Sequence, residues 1–462
     1  MAGTLAYAGL LYWIVVTFHA AHLSTFFGVT CLLLLAAYLG LYWGIWACFV
    51  ARLSPHPASG HLLPKGRRQT CPLPSGERVP EGRVRAYLPL VAAAAAWVAL
   101  EYLRTYLFTG FPWTLLADSQ VHNLPVIQIA SLTGVYGVSF LVAMVNVVVA
   151  QSILGNKRGW VPTAIFVLCS FLFGLYRLSR ITESPNRRIT VALLQGNIDQ
   201  YQKWDNRYVE DIEAAYTSLV DQASQSHPDL IVWPETSVPG YLLQETPLRT
   251  WLDAVVKKSR TYHLVGAPVM HGSLAMNSAF VLNPQGQVEA EYGKQHLVPF
   301  GEFVPWSNYL TRWIRVLNDL GGFAPGYQPP VVTAAHTPIG VNICYEAIFP
   351  AIVRHSVVEG AQVIANLTND GWYMQTAGPY QHFAPNIFRA VENRRWLIRA
   401  DNTGISAIVD PFGRIQAASP IFQRTIVTGS IEPRSDLTLY TRFGDWFAWL
   451  SCAVSVVALI AL

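Results

Sequence analysis

Six long apolar runs constrain this chain more than any other feature. They cover residues 5–20, 24–50, 86–108, 124–154, 160–176 and 446–462. Crossing the hydrocarbon core of a bilayer as a helix takes about 17–25 apolar residues, and most of these runs meet that length. The first is short, but it lacks the basic stretch and small-residue cleavage site of a signal peptide, so a retained span is expected there. Composition points the same way: 52% of the 462 residues are hydrophobic and 13% are charged, against about 25% charged in a soluble domain. Mean hydropathy is +0.29. Five spans before a soluble stretch, and one after it, are predicted.

Loop charges orient those spans. Arg52, Lys65, Arg67, Arg68, Arg78, Arg83 and Arg85 crowd the loop at 51–85, and Lys157 and Arg158 follow the fourth run. The connections after the first and third runs, around His22 and at 109–122, carry no Lys or Arg. Basic loops stay cytoplasmic. Five crossings from a cytoplasmic N-terminus then put everything after Tyr176 outside the cytoplasm. The net charge of +4 is small and its positive charges gather in these loops, so there is no nucleic-acid footprint. Rich in Pro, Gly and Ser, the stretch 54–82 is expected to be a cytoplasmic loop without a fold of its own.

Residues 188–432 read differently. Short β-rich apolar runs at 189–194, 230–232, 263–266, 278–282, 339–343, 363–367 and 405–409 alternate with segments of helical length and polarity at 208–226, 247–260 and 349–359. Strands spaced by helices predict a layered α/β domain.

Three polar residues sit at the ends of apolar strands in that domain: Glu235 after Leu-Ile-Val-Trp-Pro, Lys294 before Gln-His-Leu-Val-Pro-Phe-Gly-Glu302, and Cys344 after Val-Asn-Ile. Ligand sites in α/β sheets gather outside the carboxyl ends of strands, so three such ends can meet at one pocket. A thiol becomes a strong nucleophile when a carboxylate takes its proton, and a fixed ammonium stabilises the oxyanion that attack on an acyl carbonyl creates. Each residue alone has a plainer reading: a packed cysteine, a turn glutamate, a solvated surface lysine. Cys344 is nevertheless the only one of the six cysteines in the soluble part; Cys31, Cys48, Cys169 and Cys452 lie in apolar runs and Cys71 in a polar loop. No disulfide framework or CxxC metal pattern is available to that domain.

The set WPE, KQHLVPFGE and ICYE resembles the nitrilase, or carbon–nitrogen hydrolase, superfamily. KQHLVPFGEFVPW, NLTNDGWY at 366–373, GPYQHF at 378–383 and RADNTGISAIVDPFG at 399–413 resemble one membrane-bound family within it, the bacterial apolipoprotein N-acyltransferases. So do EYLRTYLFTGFPW at 101–113, GVYGVSFLVAMVN at 134–146, LQGNIDQYQKW at 194–204 and YTRFGDW at 440–446. The resemblance implies a nitrilase-like αββα sandwich, residues 188–432, inserted in a polytopic α-helical membrane domain formed by 1–180 and a last helix at 441–462. It implies that an acyl chain passes from a glycerophospholipid to Cys344 as a thioester. The chain then moves to the α-amino group of an S-diacylglyceryl-cysteine apolipoprotein.

By the same resemblance Glu235 is the base, Lys294 the cation on the oxyanion side and Cys344 the nucleophile. Glu302 matches a second carboxylate, Tyr345 and Glu346 the pair after the nucleophile, and Trp204 a tryptophan on an arm over the site; each of these four could equally be structural. No cofactor or metal is implied, and the protein is expected to be a monomer in the bacterial cytoplasmic (inner) membrane with its catalytic domain facing the periplasm. In the third run Glu101 and Arg104, three apart, are either a self-satisfied ion pair or a functional pair in which Arg104 holds a phospholipid headgroup. The family carries seven spans before its domain and five are counted here. The chain starts inside what resembles the third (LLYWIVVTFHAAH), so two are expected to be missing, an even number that preserves orientation. Two other readings compete: a membrane-tethered nitrilase-type amidase, and a non-catalytic lipid binder that keeps the fold.

Overall fold

The computed structural model describes residues 1–21, 23–53, 81–157, 159–180, 187–307, 309 and 322–461, with the backbone alone at 81–88 and 204. Lys65, Arg67, Arg68, Arg78 and Arg158 of the charge argument, and most of the 54–82 loop, lie outside the described residues.

The membrane half contains helices α1 (Ala2–Leu10), α2 (Trp13–Ala20), α3 (Thr25–Leu53), α4 (Glu81–Tyr106), α5 (Leu124–Ile127), α6 (Ala130–Thr133), α7 (Val135–Ile153) and α8 (Trp160–Ser179). Among the described residues α3, α7 and α8 are each long and apolar enough to cross a bilayer, and α1 with α2 reaches that length only as a pair bent by 45°. Two runs expected to be single helices are therefore broken. At 124–154 the cause is local: Gly134, at φ 68°, ends α6 and resets the chain before α7, a conformation that costs a residue with a Cβ far more. Hydropathy is blind to such a break. The break at Leu11 and Tyr12 has no comparable sequence signal.

Among the described residues the second half is built on twelve strands. β1 (Ile189–Gln195) and β2 (Leu230–Val232) are separated by helix α9 (Val209–Ser224), and helix α10 (Thr246–Ser259) precedes β3 (Tyr262–His271), β4 (Leu274–Leu282) and β5 (Val288–Gly293). Then come β6 (Val331–Ala334), β7 (Thr337–Ile343), helix α11 (Pro350–Val358), β8 (Val363–Thr368) and helix α12 (Gly378–Asn393). β9 (Trp396–Asp401), β10 (Ala407–Val409), β11 (Ile415–Ala418) and β12 (Thr425–Ile431) complete the domain, followed by helices α13 (Leu439–Phe443) and α14 (Trp446–Ile460). At 15 residues α14 is shorter than the ~20 of a typical span.

The strands form two six-stranded sheets, in the orders β12-β1-β2-β3-β4-β5 and β11-β10-β9-β8-β7-β6. Each has a parallel centre, β1-β2-β3 and β7-β8-β9, flanked by antiparallel strands. Because side chains alternate along a strand, each sheet buries two faces. Val191, Leu193, Val232, Leu264 and Val281 of the first sheet meet Val341, Ile343, Val363, Ala365 and Ile398 of the second in one core. The outer face of the first sheet (Ala192, Leu194, Ile231, Val265) packs on α9 and α10 through Ile212, Leu219, Leu252 and Val256. The outer face of the second packs on α11 and α12, and that cluster continues without a break into α4 and α7 through Ala93, Val98, Val138 and Leu141. The architecture is αββα, and its last helical layer is also the roof of the membrane half.

Candidate active site

Three chain segments converge at one end of the sandwich, each because a strand stops there. β2 ends at Val232 and Pro234, which has no N–H to extend the ladder, turns the chain so that Glu235 follows. β5 delivers Lys294 and β7 delivers Cys344. Glu235 and Cys344 are 6% and 8% exposed, and Lys294 only 1%. The surface-charge reading of Lys294 fails on that last value.

A buried ammonium survives only when paired. Lys294 Nζ lies 3.2 Å from Glu235 Oε1 and 2.8 Å from Glu302 Oε1. Burial opposes its charge, but the two carboxylates outweigh it and hold the lysine well above its usual range. Asn277 on β4 donates its Nδ2 to both carboxylates, at 2.7 Å to Glu235 and 3.1 Å to Glu302. Glu302 also accepts from the Val298 N–H at 2.8 Å, fixing its own loop.

Cys344 begins a short 3-10 turn (Cys344–Ile348) with a φ of 51°, in the left-handed region. For a residue with a Cβ that conformation costs about 1–3 kcal/mol and persists only where surroundings enforce it. Burial pushes the thiol well above its usual range, and the Glu235 carboxylate adds to this while Lys294 opposes it. The thiol therefore rests protonated, and it could serve as a nucleophile only once a base had taken its proton.

Glu346, two residues on, is fully buried and does not face the solvent. Its carboxylate accepts from the N–H groups of Gln295, His296 and Ile343 at 2.7, 3.0 and 2.7 Å and from the Tyr292 hydroxyl at 2.9 Å. It thereby ties the segment after Lys294 to the strand that ends at Cys344. Burial raises it to about 7, against the pull of those N–H donors. Tyr345 sends its hydroxyl the other way, to the Gly110 carbonyl of the membrane half at 3.0 Å.

Arg104 is not part of this cluster. It is 2% exposed inside the helical bundle and donates to the Tyr7 hydroxyl. The ion pair with Glu101 is not formed directly: Glu101 accepts from Trp97 Nε1 at 3.0 Å and from the Leu116 N–H at 2.7 Å. Nε and Nη2 of Arg104 have no hydrogen-bond partner, and neither does Glu101 Oε2. The cavity they share, about 10 Å³, has room for one water. Trp204 ends a 3-10 turn, Gln202–Trp204, and its side chain is not described.

The sequence reading passed over three contributors. Asn277, a polar residue inside an otherwise apolar strand, was the detectable one. Lys203 is 2% exposed and donates to the Glu235 carbonyl at 2.9 Å. Beneath Cys344, His382, Asp370 and Arg399 form a fully buried network. All three of its residues lie inside segments quoted above for their resemblance, with no role attached.

Residues 190–437 match the carbon-nitrogen hydrolase family, and residues 1–148 match the apolipoprotein N-acyltransferase N-terminal domain. An apolipoprotein N-acyltransferase of Geobacter metallireducens is 36% identical over 477 aligned residues, covering 100% of this chain and 86% of that protein. One from Methylococcus capsulatus is 34% identical, covering 89% of this chain and 79% of its own length. Among solved structures, an amidase of the nitrilase superfamily from Nesterenkonia sp. AN1 is 20% identical, covers 57% of this chain and 96% of its own, and overlays with a TM-score of 0.42. The sandwich is thus the carbon–nitrogen hydrolase fold, joined to apolar helices of a membrane domain, and the chain belongs to the apolipoprotein N-acyltransferase family.

Proposed function

We propose that this enzyme acylates lipoproteins through a thioester on Cys344, with Glu235 as base and Lys294 as the oxyanion-side cation. The observation that carries the assignment is Lys294, buried at 1% exposure between Glu235 and Glu302 at the strand ends that meet Cys344. Glu235 takes the thiol proton as sulfur attacks an ester carbonyl of a glycerophospholipid. Negative charge on the carbonyl oxygen falls within the field of Lys294. When the tetrahedral intermediate collapses, the ester C–O bond breaks and the departing lysophospholipid oxygen takes the proton from Glu235. In the second half the α-amino group of a diacylated apolipoprotein attacks the thioester, gives a proton to Glu235, and expels the Cys344 sulfur, which is reprotonated.

Glu302 and Asn277 hold Lys294 and Glu235 in register, Glu346 holds the two loops together, and Tyr345 ties the nucleophile's turn to the membrane half. Trp204 is proposed to cover the site from its turn beside Lys203. Arg104, which donates to the Tyr7 hydroxyl inside the bundle, can act on the donor's phosphate only through its charge, across the helices that bury it. Both substrates are lipid-anchored, which fits a catalytic domain on the periplasmic face of the inner membrane, the side that the loop charges favour. A monomer carries all the groups named.

Mass spectrometry after incubation with phospholipid tests the assignment. An acyl adduct on Cys344 that an S-diacylglyceryl-cysteine peptide discharges is expected. An adduct that the peptide cannot discharge sinks the transferase reading, and release of ammonia from a small amide without any lipid adduct favours the amidase reading.

A further inference from the structure

The strained backbone at Cys344 is held from below. The Cys344 carbonyl receives His382 Nε2 at 3.2 Å and Asn366 Nδ2 at 3.4 Å. A carbonyl only accepts, so Nε2 carries a hydrogen. On the other side of the ring Nδ1 lies 2.7 Å from Asp370 Oδ1, and a proton must sit between them. Asp370 is itself clamped by Arg399 Nη2 at 2.8 Å, and that same nitrogen lies 3.3 Å from His382 Nδ1. Trp113, from the membrane half, stacks on the imidazole at 5.4 Å and Tyr373 meets it edge-on at 5.8 Å. His382, Asp370 and Arg399 are all essentially inaccessible to water. An arrangement this costly to bury has one end aimed at the nucleophile's own peptide group.

That peptide group is planar and trans, so its carbonyl and the N–H of the next residue point in opposite directions. Holding the Cys344 carbonyl toward His382 turns the Tyr345 N–H the opposite way, away from the network. We propose that His382 is a positioning residue: by fixing the Cys344 carbonyl it aims the Tyr345 N–H as a donor to the oxyanion, opposite Lys294. Asp370 and Arg399 hold the ring, and Asn366 shares the carbonyl. The inference rests on Cys344 being the acylated residue.

The test separates two reactions of one thiol. Acylation by phospholipid passes through an oxyanion, whereas alkylation by iodoacetamide forms none. His382→Phe keeps a ring between Trp113 and Tyr373 but donates nothing, and His382→Gln restores an amide donor. Both reactions are read at Cys344 itself by peptide mass spectrometry, with melting temperature as a control. The expected result for His382→Phe is a fall of about 10²-fold in the rate of thioester formation, the loss typical of one oxyanion donor. Its alkylation stays within about threefold of the unaltered enzyme, and His382→Gln recovers most of the acylation. Acylation that is unchanged in His382→Phe, acylation and alkylation that fall together, or His382→Gln as slow as His382→Phe each overturn the inference. An unaltered enzyme that forms no thioester at all overturns instead the assignment of Cys344 on which it rests.

Discussion

Tyr345 donates its hydroxyl to the Gly110 carbonyl at 3.0 Å, so the residue after Cys344 is anchored in the loop that follows α4. Gly110 has a φ of 77°, and a Cβ there would come within 2.1 Å of the Thr105 carbonyl and 2.8 Å of the Phe349 ring. The loop can therefore reach the active-site turn only with glycine at this position. Tyr345→Phe leaves a buried carbonyl unpaired, at about 1–3 kcal/mol, and is expected to lower the melting temperature with a modest loss of thioester formation. Gly110→Ala is expected to lose more of both. Gly110→Ala matching the unaltered protein in both measurements rejects the anchor.

The two carboxylates on Lys294 predict an asymmetric result. Glu302→Gln keeps the shape of the side chain but leaves Glu235 as the only negative charge on the lysine. Thioester formation is expected to fall by about 10²-fold, the scale of a lost electrostatic contribution in a closed site. Acyl-enzyme accumulation followed by mass spectrometry measures it, and a rate within threefold of the original would exclude an electrostatic role.

Lys203 predicts a pH dependence of stability. Burial pulls it down to about 8, although Glu235, Asp401 and Cys344 pull the other way; an unfolded lysine titrates near 10.4. Below about pH 8 both states hold the proton and the fold bears the cost of burying it. Between about pH 8 and 10.4 the unfolded chain binds more protons, so stability rises with pH relative to a variant without this group. The unaltered protein is expected to gain up to ~3 kcal/mol on Lys203→Met across that window. Melting temperatures of the pair from pH 7 to 10.5 check it, and a constant difference rules it out.

Arg104 offers a choice between two roles. If its charge serves the donor's phosphate, Arg104→Ala slows acylation by phospholipid about tenfold and leaves acylation by a short p-nitrophenyl ester, which has no phosphate, at its original rate. Equal slowing with both donors assigns Arg104 to holding α1 against α4 through Tyr7. No slowing with phospholipid removes it from the reaction.

Strand ends were legible because proline and polar residues punctuate apolar runs: Glu235 and Cys344 were each visible as the group that follows a strand, whereas Lys294 stood out only through the segment it begins, Lys294 to Glu302. α9, α10 and α11 were also anticipated within a few residues. The strands β5, β6, β11 and β12 were not, since they lie at or near sheet edges and their exposed positions dilute the apolar signal (Val288, Glu289 and Ile415 face solvent). The central β9 was missed as well, because Arg399 and Asp401, both buried, interrupt its apolar run. α12 was missed for a different reason: Pro385 inside it reads as a helix breaker. The support beneath Cys344 was invisible in another way. Asp370, His382 and Arg399 lie on three different elements, and only the pairing of β8 with β9 and the packing of α12 bring them together.

The helical layer shared by the sandwich and the membrane bundle has a consequence for how the protein is made. α4 and α7 emerge before any strand, yet the face they offer is completed by Val353, Ile387 and Val391, more than two hundred residues later. The last helix then returns to the same bundle, where Trp446 donates to the Leu132 carbonyl at 2.9 Å and Trp449 to the Tyr102 hydroxyl at 2.7 Å. Neither half can finish first. During synthesis the bundle waits as an open cradle, and a ribosome stalled between α8 and α11 leaves one apolar side of it bare. Quality control that removes such intermediates would recognise that bare side, and a separately expressed sandwich would present the matching face of α11 and α12 permanently.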